Sequence, residues 1–204
     1  MNILENIISE AKDGNEYIEE QFFEKESLNE TDLSKLEFKD VKFISCVFEG
    51  CNFSKSSFYE CSFEGCMFVS CDFADGFFRN CKVNDCKAEG NNFHACHIRD
   101  TAFSGCNMRY SGFNKNVWER VKLENCNFSD TALSELKLKT PVFKNTDFTH
   151  ADFFKTSLKG IDMSDCEING IAVSDTLYEL RGVKITAEQA VGVAQMLGIK
   201  IVNK

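Results

Sequence analysis

From Ile18 to Val173 an apolar residue stands at every fifth position. The series opens with Ile18, Phe23, Leu28, Leu33 and Phe38 and runs through eight consecutive Phe from Phe43 to Phe78, Phe48, Phe53, Phe58, Phe63 and Phe68 among them. It continues through Val83, Ala88, Phe93, Ile98, Phe103, Met108, Phe113 and Trp118 to Ile168 and Val173, giving 32 positions without a break in register. A second position keeps the same beat two residues earlier and holds small or β-branched residues, as in Val41, Cys46, Cys51, Ser56, Cys61 and Cys66. A period of five fits neither the 3.6 of a helix nor the 2.0 of a strand. Only a chain that turns a corner every five residues can place both positions inside, leaving the other three residues of each five outside. Fixed short periods of this kind signal a solenoid whose stacked turns share one core.

The number of sides is set by the cysteines. Cys46, Cys66, Cys86, Cys106, Cys126 and Cys166 recur at multiples of 20 in the numbering, with Thr146 filling the gap, so four sides make a turn. These residues are predicted to form an interior ladder with turns about 4.8 Å apart, the spacing of hydrogen-bonded strands.

The ends depart from the beat. Residues 1–12 carry Ile3, Leu4, Ile7, Ile8 and Ala11 at helical spacing, and Gly14 suits the helix stop. The polar side of that helix is acidic, which suits a cap on the open stack and not a membrane surface. Near the other end Thr186 and Gln189 fit a capping box, and Ala190, Val191, Ala194 and Leu197 give the helix an apolar face. Gly198 suits its stop, and residues 199–202 read as a final strand. The expected organisation is a cap helix over 1–14, the repeat body over 15–183 and a C-terminal dimerisation or capping module over 184–204.

Composition changes the picture in three ways. The chain has 204 residues with 20 Phe, 17 of them on the central beat, and a single Pro, which argues against disordered linkers. All 11 Cys occupy the small-residue position, their number is odd, and no CxxC pair occurs. They read as small buried hydrophobes and not as a disulfide frame or a soft-metal site. No apolar run is long enough for a membrane span and the first residues lack a basic leader, so the expected compartment is the cytoplasm, with no membrane partner.

The net charge of −9 is uneven: residues 1–40 hold 12 acids and 4 bases, the rest 20 acids and 19 bases. A sequence pI near 4.9 argues against direct nucleic-acid binding. His94 and His97 read as surface residues, and no nucleophile–base or phosphate-loop spacing emerges. The expectation is a protein without enzymatic activity, cofactor or metal.

Segments such as CNFSK, CSFEG, CDFAD, CNFSD, TDFTH and ADFFK resemble the pentapeptide-repeat proteins. The resemblance implies an all-β fold, a right-handed quadrilateral β-helix of about eight coils with a short N-terminal helix and a C-terminal helix plus strand. The tail, together with CKAEGNNF and YSGFNK, is similar to the Qnr and MfpA quinolone-resistance group. That similarity implies a homodimer through the C-terminal module, with Ala190, Val191, Ala194, Leu197, Ile199 and Ile201 as candidate interface. It also implies a rod that mimics DNA, binds DNA gyrase or topoisomerase IV, and in some members protects against fluoroquinolones. Qnr-type proteins carry projecting loops, for which the unbroken register leaves no room. The candidate partner surface is the side bearing Glu49, Glu89, Asp130, Asp147 and Glu167, which carries −3 once Lys87 and Arg109 are counted. The alternative is a structural or interaction scaffold with another protein partner.

Overall fold

In the computed structural model, residues 3–14 and 17–202 are described. Two seven-stranded parallel sheets and one three-stranded parallel sheet run along a four-sided β-helix. Each strand pairs with its counterpart one coil on, as Tyr17–Glu19 does with Glu37–Lys39, so four sides make one turn. Face 1 is centred on Ile18, Phe38 and so on to Leu158; face 2 on Phe23 to Met163; face 3 on Leu28 to Ile168; face 4 on Leu33 to Val173. Faces 1 and 2 carry the long sheets, ending at Lys137–Lys139 and Val142–Lys144. Face 3 is strand only as far as Met67–Val69 and continues through single bridges such as Met67↔Lys87 and Lys87↔Asn107, while face 4 is bridged throughout.

The number of regular coils is smaller than the repeat count implies. Seven strands on successive coils span six turns of regular pairing, fewer than the eight coils expected, and below them the stack continues by bridges as far as Asp162↔Lys184. On the regular step Asp162 would meet Gly182. It meets Lys184 instead, because an extra bend at Leu177, with φ of 48°, enters the final coil.

Of the 32 central residues, all but Leu138 and Val173 are buried, and those two pack against the core. Phenylalanines on the same face stack from coil to coil: Phe38 and Phe58 lie 5.0 Å apart at 5°, Phe53 and Phe73 4.7 Å apart at 3°. Neighbours around a coil meet edge-on, as Phe43 and Phe48 do at 5.7 Å and 76°. Both arrangements suit the ring quadrupole. Because each buried Phe contributes about 1.5–3 kcal/mol, this column dominates the stability of the rod.

All 11 cysteines are free and buried, Cys46, Cys66, Cys86, Cys106 and Cys126 forming one interior column. All but the Cys166 thiol point at backbone carbonyls: Cys96 Sγ donates to Phe73 O at 3.0 Å and Cys106 Sγ to Val83 O at 3.2 Å. Burial pushes the Cys96 thiol up to about 12 and the Cys166 thiol up to about 11, so neither is a thiolate near neutrality.

Nearly every corner residue, two after each centre, takes a left-handed conformation. This holds for Asp and Asn, which tolerate it, and equally for Glu20, Lys55, Arg120 and Thr140, with φ from 48° to 61°. Stacking of the coils imposes the conformation at sites whose local preference would avoid it.

At the N-terminus, helix α1 (Ile3–Asp13) buries Leu4, Ile8 and Ala11 over the first coil, while Ile3 points outward, contrary to its place in the expected stripe. Helix α2 (Ala187–Met196) starts at the Thr186–Gln189 capping box, and Gln189 Nε2 also donates to Met163 O and Cys166 O, pinning the helix to the last coils. Gly198, at φ of 76°, ends it and donates to Gln195 O. The expected terminal strand is absent: Ile199–Val202 form none. A strand needs an edge to pair with, and among the described residues these meet none.

Candidate functional site

With the centres turned inward, chemistry can reside only on the outward residues and the tail. On face 3 the five predicted carboxylates lie in three different rows. Glu49 and Glu89 share one row but are separated by Val69; Asp147 and Glu167 are direct neighbours in another, and Asp130 sits on the corner. Several are already engaged. Arg109 donates to Asp130 from Nε at 3.0 Å and Nη2 at 2.9 Å, and His150 Nδ1 lies 3.5 Å from the same carboxylate. Asn107 Nδ2 donates to Glu89 Oε1 at 2.9 Å, Asn169 Nδ2 to Glu167 Oε2 at 3.3 Å, and Asp147 accepts from its own turn at Thr149 N. The middle of the face is apolar, with Met67 and Val69 exposed. Face 3 therefore holds Asp130, Asp147 and Glu167 near one another and Glu49 and Glu89 apart from each other, and not a continuous stripe.

A straighter anionic line runs along the corner of face 1. Glu20, Asp40 and Glu60 occupy equivalent corner positions on three successive coils, all exposed and none in an ion pair among the described residues. Summing charge over the whole side conceals them, because Arg79, Arg99, Lys137, Lys139 and Lys159 lie on the same face. Their signal in the sequence is an acid in the same corner position on three successive turns, which emerges from counting rows instead of sides. Further along the line Asp100 is neutralised: Arg120 and Arg99 both reach it, and Arg120 also bonds Glu119 at 2.6 Å. The Arg120 guanidinium holds the Asp100 and Glu119 carboxyls below their ordinary values.

In the tail, the side of α2 that faces the rod is Val193 and Met196, which pack on the core. Of the predicted interface residues, Ala190, Val191, Leu197, Ile199 and Ile201 are exposed and Ala194 is half-buried. Leu197, Ile199, Ile201 and Val202 are exposed, a run of apolar side chains broken by Lys200 that no other described residue covers.

Among the described residues no group of His, Cys, Asp and Glu is arranged to hold a metal ion. His94 and His97 lie on adjacent faces, and the exposed His97 ring is tilted at 55° to Phe77, 6.0 Å away. Nor is any helix among the described residues long and apolar enough to cross a membrane.

The decisive feature is the unbroken step of five, with its four-sided ladder. Family profiles match it twice: a pentapeptide repeat region over residues 56–126 and pentapeptide repeats over residues 142–170. The chain is a pentapeptide-repeat protein. A trypsin-treated form of QnrB1, a plasmid-mediated fluoroquinolone resistance protein, shares the fold with a TM-score of 0.54 at 19% identity, over 92% of this chain and 99% of that one. HetL, a pentapeptide-repeat protein involved in heterocyst differentiation regulation in the cyanobacterium Nostoc, matches at a TM-score of 0.35 and 11% identity, over 90% of this chain and 94% of that one. No curated protein matches the chain in sequence. This pentapeptide-repeat protein keeps its coil-to-coil register on at least one face from Tyr17 to Ala172, so no loop projects from those coils.

Proposed function

We propose that this pentapeptide-repeat protein is a non-enzymatic binding rod that engages a type II topoisomerase, DNA gyrase or topoisomerase IV, by presenting carboxylates where DNA would present phosphates. The observation that carries the reading is the unpaired corner line Glu20, Asp40 and Glu60, continuous with first coils in which residues 1–40 hold 12 acids and 4 bases. Its carboxylates repeat about every 4.8 Å, and duplex DNA carries one phosphate per ~3.4 Å along each strand. A cationic DNA groove would therefore meet a similar, sparser row of charge. The choice of enzyme follows the similarity of the tail sequence to the Qnr group, and one protein of like fold is a fluoroquinolone resistance protein. Because no loop projects, contact is through the faces and corners of the rod alone.

The same reading makes the protein a homodimer through Leu197, Ile199 and Ile201. A second tail would cover the apolar segment and supply the edge that residues 199–202 lack.

A gyrase supercoiling assay, run with and without a fluoroquinolone, tests the proposal. The protein is expected to alter supercoiling or drug-induced cleavage, duplex DNA should compete with it, and the triple change Glu20→Gln, Asp40→Gln, Glu60→Gln should weaken the effect at least tenfold. No effect on the enzyme at micromolar protein would overturn it. Truncation after Leu180 should give monomers by light scattering, and a persistent dimer would move the interface elsewhere.

A further inference from the structure

The stack comes apart on two faces near its C-terminal end. In each earlier step of face 1 the coils are tied across the corner, as by Arg120 N to Lys139 O at 2.9 Å and Lys137 N to Asn116 O at 2.9 Å. Between residues 137–145 and 157–164 no such backbone bond forms among the described residues: Leu138, Thr140, Phe143 and Ser157 donate nothing across the gap. Instead the lower coil bonds downward to the final one, through Leu158 N to Glu179 O, Gly160 N to Gly182 O and Met163 N to Lys184 O, each at 2.9 Å. On faces 3 and 4 the same stretch of the stack remains joined, by Glu167 N to Thr146 O and Leu133 N to Asp152 O. The result is a wedge, hinged on one side and open on the other, enclosing a cleft of about 710 Å³.

The residues explain the opening. Pro141 and Ile161 line the cleft and occupy the inward position that holds Cys61, Cys81, Thr101 and Val121 in the coils above. Val121 above Pro141 is still accommodated, with Val142 N donating to Val121 O at 2.9 Å, whereas the larger Ile161 beneath Pro141, which has no N–H to give, resists close approach of the next coil. Before Pro141, Thr140 sits at φ of 48°, a conformation strained for a β-branched residue and further disfavoured ahead of proline. Leu138, one of the two centres not fully buried, also faces the cleft.

We propose that this wedge is a β-augmentation site for an extended acidic segment of a partner protein, which pairs with the open Lys137–Lys139 edge. Two independent features point to that occupant. The first is the pair of backbone donors, Leu138 N and Thr140 N, that find no carbonyl across the gap at the edge of a terminal strand in the middle of the chain, the template an extended peptide completes. The second is charge: Lys137, Lys155 and Lys159 line the cleft against the single carboxylate of Asp162. Leu138 and Tyr178 supply an apolar floor for alternate side chains. The site lies at the opposite end of the rod from the Glu20–Asp40–Glu60 line and stands whether or not the topoisomerase reading holds.

A fluorescein-labelled decapeptide of alternating Glu and Val is the probe, with the Lys/Val decapeptide and a version carrying two central prolines as controls. Fluorescence polarisation should show saturable binding of the acidic peptide, with at least tenfold weaker binding of both controls. The double change Lys137→Glu, Lys159→Glu, in a variant whose melting temperature is unchanged, should weaken it at least tenfold. Hydrogen exchange on the wild-type protein provides a readout independent of any variant: the Leu138 and Thr140 amides, fast-exchanging in the free protein, should become protected when the acidic peptide is bound. Absent binding, equal binding of the Lys/Val peptide, or protection confined to other coils would each overturn the proposal.

Discussion

Coils built from residues 17–144 and those that follow are made from the same five-residue unit, yet they behave as two materials. In the first region each face repeats its pairing from coil to coil in constant register, and the rings stack at 4.7–5.4 Å on face after face. In the second, no aromatic ring below Phe143 stacks on its own face except Phe148 beneath Phe128, tilted at 6.0 Å, and two faces separate altogether. The unit is unchanged; what differs is which residue fills the two inward positions. Phe at the centre and Cys beside it allow coils to close at strand spacing, whereas the succession of Pro141 and Ile161 does not. A solenoid is only as regular as its least compliant inward residues.

Breaking the regular region should cost the most. Phe68→Ala should destabilise the protein by about 3–5 kcal/mol in urea denaturation, as buried Phe deletions do. A loss near zero would mean that the ring column is not the source of rigidity. In the irregular region Glu179 is a buried anchor of the final coil, and its carboxylate accepts from Lys155 N at 2.8 Å, Ser174 N at 3.2 Å and Ser174 Oγ at 2.8 Å. Glu179→Gln should cost about 1–3 kcal/mol, since it leaves part of that network unmatched.

Burial works to raise the Glu179 carboxyl, but hydrogen bonds from backbone amides and from Ser174 outweigh it and hold the group below its ordinary value. A carboxyl depressed on folding stabilises fully above the unfolded value of about 4.3 and ceases to do so as pH falls through its lower folded value. Wild-type stability should thus drop through that acid window more steeply than that of Glu179→Gln, measured by thermal melts from neutral to acid pH. Parallel curves would show that the final coil is held by packing alone.

Smaller effects sharpen the contrast. Leu138→Ala, at the open edge, should cost about 1 kcal/mol, against about 2–5 kcal/mol for the sealed Leu123→Ala on the adjoining face one coil earlier. Equal losses would mean the wedge is closed in solution. Within the regular region Val83 and Ala88 interrupt the Phe column and leave a cavity of about 20 Å³. At about 24 cal/mol per Å³, filling it with Ala88→Val should stabilise by about 0.5 kcal/mol, read as a small rise in melting temperature.

Phe48, Cys66 and their counterparts announce the solenoid because their spacing admits one geometry, and the capping box at Thr186 is legible for a similarly local reason. The acidic surface is less legible. Glu49, Glu89, Asp130, Asp147 and Glu167 share a side in sequence arithmetic, but Arg109 and the asparagines engage several of them, an outcome that depends on rotamers and cross-coil reach. Glu20, Asp40 and Glu60 become visible only once corner and flat positions are distinguished.

The five-residue step, the four sides, the inward identity of nearly every core residue and the two capping helices are written in the order of the amino acids, because a repeated steric requirement leaves its mark at every repeat. Where the ladder of hydrogen bonds stops is settled only once the coils are stacked. So are the lack of a strand for residues 199–202 to join and the choice of which carboxylates stay free, since each depends on what lies one coil away and not on what lies next in the chain.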